Sequence, residues 1–159
     1  MLHVMESTED WAEQIRALER SEAAPYIDQP TSSAWLAPAF GAWSAVYVAA
    51  FALWNVSTAL FILSMLGLSA LIGFFLGWYM RRFGALPMPG RGNPPPEIRR
   101  EYRLYAAGVL VVAALVVLAW WAAGLAVASA TAFVLVTAGY MLYAHRYERA
   151  ASAVRERLQ

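Results

Sequence analysis

The chain has 159 residues, of which 60% are hydrophobic and 14% charged, with a formal net charge of +1. That apolar share exceeds the roughly 45–50% of a soluble domain, so a membrane is the expected solvent for most of the chain. There is no cysteine, and every basic residue is arginine; disulfides, thiolate metal sites and lysine Schiff-base chemistry are thereby excluded.

Residues 1–33 read as an acidic cytoplasmic arm. Ser7 and Thr8 precede Glu9 and Asp10, and Trp11, Ile15 and Leu18 then share one face. This predicts an amphipathic helix over about 8–23 that stops before Pro25. Seven acidic residues (Glu6, Glu9, Asp10, Glu13, Glu19, Glu22, Asp28) against Arg16 and Arg20 give the arm a net charge of −5. Anionic lipid repels such a segment, so it is expected to dock on protein, with the chain's own basic surface as the nearest candidate. No basic-then-apolar leader precedes the first apolar run, which is therefore expected to serve as the insertion signal.

Residues 34–80 form the first expected transmembrane hairpin. Runs 34–54 and 56–80 are uncharged, each long enough for a hydrocarbon core of about 30 Å, with a polar break near Asn55. In the second run Ser69, Gly73 and Gly77 recur every four residues. Small residues at that spacing let another helix approach closely. The expected neighbour is the first or third span of the same chain, with a second copy as the alternative.

Residues 81–98 are a basic connector rich in proline and glycine, expected to be extended. Pro96 suits a first helical position. Ile98, Tyr102 and Tyr105 then align along a helix that starts before the membrane. Arg81 and Arg82 at one exit and Arg99, Arg100 and Arg103 at the next entrance are expected to gather at headgroup level, as a surface for a partner or anionic lipid. Residues 99–145 make the second hairpin. Its uncharged run, 104–143, is too long for one span and is expected to break at Gly124, leaving helices over about 97–121 and 125–147. Residues 146–159 continue as a helical tail in water.

Arginines occur in the arm, the central connector and the tail, and the two outer turns have none. The positive-inside rule then places both termini in the cytoplasm, in a multi-pass protein of the inner (plasma) membrane. The spans hold no Asp, Glu, Lys or Arg, which argues against proton antiport, a carboxylate ion site or an intramembrane metalloenzyme. Their hydroxyls are expected to bond neighbouring helices or their own backbone. Their Trp and Tyr residues are expected to form interface belts. His3 and His145 lack partners for a metal, and no cofactor or nucleic acid is implied. Glu97, Glu101, His145 and Glu148 lie near headgroup depth without a catalytic spacing.

The reading is an all-α integral membrane protein, with four transmembrane helices as two hairpins plus the amphipathic arm. It would act as a non-catalytic accessory or interaction subunit that contacts membrane lipids and either a membrane-protein partner or a second copy. A homodimeric transporter of a lipophilic substrate and a lipid-modifying membrane enzyme stand as alternatives. In style the chain is similar to small four-helix membrane proteins of GC-rich bacteria, without a shared motif.

Overall fold

The computed structural model describes residues 2–27, 35–83 and 94–158, and all regular structure among the described residues is helical. Helix α1 is Leu2–Ile27, α2 is Leu36–Ala49 and tightens into a 3-10 segment at Ala50–Asn55, α3 is Thr58–Phe83, α4 is Pro96–Ala123 and α5 is Leu125–Leu158. Four stretches are long and apolar enough to cross a membrane: Leu36–Asn55, Thr58–Arg82, Pro96–Ala123 and Leu125–Leu158.

Local chemistry sets most boundaries. Pro96 opens α4, where its missing N–H costs nothing, and the Arg99 N–H returns to the Pro95 carbonyl at 2.9 Å. Gly124 alone separates α4 from α5. Its φ of +86° suits glycine, its N–H still bonds the Trp120 carbonyl, and its carbonyl accepts from Ala128. The turn thus interrupts the helical ladder at a single residue. The arm differs from expectation: α1 begins before residue 8 and runs through Pro25 to Ile27. Proline removes one hydrogen bond near the helix end, and contacts with α5 hold the turn beyond it.

Helix α5 is the central element. It packs along α2 and α4, and its C-terminal part takes α1; α3 instead meets the 3-10 segment and, sparsely, α2. The α2 and α5 backbones approach closely at Gly41. A Cβ there would overlap Thr137 Oγ1 and stand 2.8 Å from the Phe133 carbonyl oxygen. Ala37, Gly41 and Ala45 repeat every four residues on α2, so the small-residue signal used inside the chain lies on this helix.

The expected packing of Ser69, Gly73 and Gly77 within the chain does not occur. All three are exposed, and a Cβ added to Gly73 or Gly77 would meet nothing within 4 Å. Helix α3 turns another side inward. Phe61 lies against Phe51 and Trp54 with centroids at 5.2 and 5.1 Å, Phe75 against Phe40 at 5.9 Å, and the Trp43 indole donates to the Leu68 carbonyl at 3.3 Å. These bulky groups sit at seven-residue intervals and hold α3 away from its neighbours, so no close glycine contact forms.

Aromatic contacts mark two levels. At one, Tyr105 meets Tyr143 at 4.8 Å, and Tyr79 and Tyr140 join Leu36 and Ala37 in one buried cluster. At the other, Phe51 meets both Phe61 and Trp120 at 5.2 Å. From Phe61 to Tyr79 the α3 axis rises roughly 27 Å, and from Tyr105 to Trp120 the α4 axis rises roughly 22 Å, at 1.5 Å per residue. No charged residue falls within either interval. The expected belts are thus divided by residue type: Trp35, Trp54, Trp78 and Trp121 are exposed, whereas Tyr79, Tyr102, Tyr140, Tyr143 and Tyr147 are buried.

Candidate interaction site at the charged end

Beyond the tyrosine level, three helices share a second core. On α5 the residues Tyr143, Tyr147, Ala151 and Val154 recur at intervals of three and four, which is one helical face. They pack with Ile98 and Tyr102 of α4 and Ala23 and Ile27 of α1. Ile98 and Val154 are fully buried, which stabilises the assembly by about 1.5–3 kcal/mol per side chain. Tyr102 stacks on Tyr147 with centroids 6.3 Å apart. The tail is therefore not a bare helix in water, because its apolar face forms the centre of this head.

Polar bonds then fix α1. Tyr147 donates its hydroxyl hydrogen to the Tyr26 carbonyl at 2.9 Å, and the Arg155 guanidinium donates from both Nε, at 2.9 Å, and Nη2 to the Ile27 carbonyl. In return, Arg20 Nη2 donates to the Leu158 carbonyl at 2.6 Å. The two helices run antiparallel here, and each supplies an arginine to the negative C-terminal end of the other. The arm docks on its own chain, at a place other than the basic surface of Arg81, Arg82, Arg99, Arg100 and Arg103 expected for it. Its described anchors are on the α5 tail, through apolar packing and backbone capping.

Three carboxylates of this end lie beside arginines, although Glu97 keeps a buried Oε2 that bonds no other described group. Arg146 grips Glu101 through Nε–Oε2 at 2.8 Å and Nη2–Oε1 at 3.4 Å, a fork on a side chain that is 12% exposed. Arg155 bonds Glu148 at 3.1 Å, and Arg157 lies 3.8 Å from Glu97. His145 is exposed. Among the described residues, no three His, Cys, Asp or Glu side chains converge.

Arg81 and Arg82 at the end of α3, and Arg99, Arg100 and Arg103 on the first turns of α4, are all exposed. They follow Tyr79 and precede Tyr105, so both groups begin at the level where the uncharged interval ends. Arg91 and most of the proline-rich connector lie outside the described residues. Among the span hydroxyls, Ser44 and Ser64 donate to the carbonyls four residues earlier, as expected. Ser129, Thr137 and Tyr143 have buried oxygens that do not bond other described groups. An open groove of about 510 Å³ follows one side of α5, lined by Ala126, Val127, Ala130, Thr131, Val134 and Leu135. Its lining is mostly apolar.

No protein-family model, curated protein or solved structure matches this chain.

Sequence reasoning overlooked the α5 stripe and Gly41. Both signals were present. Arg146, Glu148, Arg149 and Arg155 interrupt the stripe in linear order, and only the helical repeat gathers its apolar members.

Proposed function

We propose that this chain is a multi-pass membrane protein, folded as two hairpins with both termini cytoplasmic, that serves as a non-catalytic accessory subunit. Its α3 face at Ser69, Gly73 and Gly77 takes a transmembrane helix of a partner protein. The exposed arginines 81, 82, 99, 100 and 103 hold anionic lipid headgroups at the cytoplasmic surface, each contributing about 1 kcal/mol. The observation that carries this reading is the outward small-residue face of α3, where a Cβ added to Gly73 or Gly77 would meet nothing within 4 Å, which leaves room for a helix backbone. The hydrogen-bonded pairing of Glu101 with Arg146 and of Glu148 with Arg155 supports a non-catalytic role. The shared level of the aromatic clusters and charge boundaries supports the membrane placement.

Affinity isolation from native membranes in mild detergent tests the partner. A stoichiometric partner is expected with the natural chain and not with the Gly73→Leu, Gly77→Leu double variant. Equal recovery with both chains, or an unaccompanied chain in both, would overturn the reading. Topology is tested separately, with single cysteines at Val56 and Ala153 and a membrane-impermeant maleimide. Position 56 should label from outside, and position 153 only after the membrane is opened.

A further inference from the structure

Helix α1 leaves its dock with an apolar stripe uncovered. Trp11, Ile15 and Leu18 are 64%, 56% and 61% exposed, whereas the docked Ala23 and Ile27 are 4% and 6%. With 3.6 residues per turn, the stripe lies roughly 145° around the helix from the side bearing Arg20, Ala23 and Ile27. Docking on α5 therefore does not cover it.

The stripe is also held away from any bilayer. Tyr26 and Ile27 meet Tyr147 and Arg155, while Arg20 reaches Leu158 near the far end of α5. Continuing in that direction, Trp11 lies roughly 14 Å farther from the tyrosine level than Arg20, at 1.5 Å per residue. The tail itself rises roughly 22 Å from Tyr143 to Leu158. On the membrane placement proposed above, the stripe stands in water far above the headgroups and above the exposed arginines of α3 and α4. Neither lipid nor those arginines can serve as its cover.

We propose that the cover is α1 of a second copy, paired in parallel as a short coiled coil. Trp11, Ile15 and Leu18 follow the four-then-three spacing of d, a and d positions, and Val4 and Thr8 continue that rhythm earlier in the sequence. Two copies inserted with the same orientation are related by an axis along the membrane normal. That symmetry sets their α1 helices parallel and each residue opposite itself.

The two arms carry charge of the same sign, and this register keeps most of it off the seam, with Glu6 at f, Glu9 at b and Asp10 at c. Glu13 and Arg20 fall at the outermost f position and Arg16 at b, while Gln14 at g faces the partner's Glu19 at e without like-charge contact. Glu22 occupies the next a position and would oppose its own copy. It ends the seam at Leu18, where each α1 meets its own α5. So short a seam is weak alone, and confinement to one membrane raises its effective concentration.

The native chain has no cysteine, so single cysteines test this directly in the full-length protein in membranes. Under mild oxidation, Ile15→Cys and Leu18→Cys should form disulfide dimers at least tenfold faster than Glu13→Cys and Ala17→Cys, which lie off the seam. Ile15→Asp, introduced beside Leu18→Cys, should abolish the dimer while trypsin still cuts α1 at the natural rate, showing that the dock is intact. Equal cross-linking at all four positions, none at positions 15 and 18, or a cross-link there to a different protein would overturn the pairing. The maleimide labelling at positions 56 and 153 reports topology independently, so failure of the membrane reading is distinguishable from failure of the pairing.

Discussion

Helix α3 and the α1/α4/α5 head solve opposite problems with similar side chains. In the head, apolar residues lie among charges, and those of the shared core find neighbours from other helices: Ile98 and Val154 are fully buried, and arginines close the helix ends. In α3 the apolar residues are continuous, and many remain uncovered, with Phe74 77% exposed and Leu63 65%. An apolar side chain in water must be covered by protein, whereas one in lipid is already solvated. The head is therefore a folded unit that can be tested by its own stability, and α3 is a surface that can be tested only through what binds it.

The comparison is broken most forcefully by Val154→Asp. A carboxylate in that fully buried site loses its hydration and costs about 3–5 kcal/mol. Release of α1 is the expected result, read as rapid tryptic cleavage at Arg16 and Arg20. Gly41→Leu comes next. Its side chain collides with Thr137 and the Phe133 backbone, and overpacking of about 1–3 kcal/mol should lower the detergent melting temperature. Tyr147→Phe removes one bond to the Tyr26 carbonyl, worth about 1 kcal/mol. A few-fold faster proteolysis of α1 should follow with little change elsewhere. Smallest is Gly73→Leu: with open space at its Cβ, stability should stay within about 0.5 kcal/mol of the natural chain. A large loss of monomer stability in that variant would contradict an open α3 face.

The same contrast explains which features were legible beforehand. The start of α4 at Pro96 and the break at Gly124 were readable because each depends on the backbone chemistry of one residue. The extent of α1 was not, because Pro25 signals a stop locally and the opposing information comes from Tyr147 and Arg155, more than 100 residues away. The exposed arginines were legible as a charge pattern. The neutralisation of Glu101 by Arg146 was not, since only the antiparallel alignment of α4 and α5 brings them within 2.8 Å.

By itself, the sequence determined four apolar stretches of spanning length, the clustering of all charges outside them and an amphipathic first helix, because length, charge and periodicity are one-dimensional quantities. The tertiary structure alone decided which small-residue stripe is used. Ala37/Gly41/Ala45 and Ser69/Gly73/Gly77 carry equivalent signals, and the bulky residues beside them settle the matter. Phe61, Leu68 and Phe75 turn α3 inward on its other side, whereas α2 brings Gly41 against the backbone of α5. Close packing is a property of two surfaces together, and a single stripe cannot name its partner.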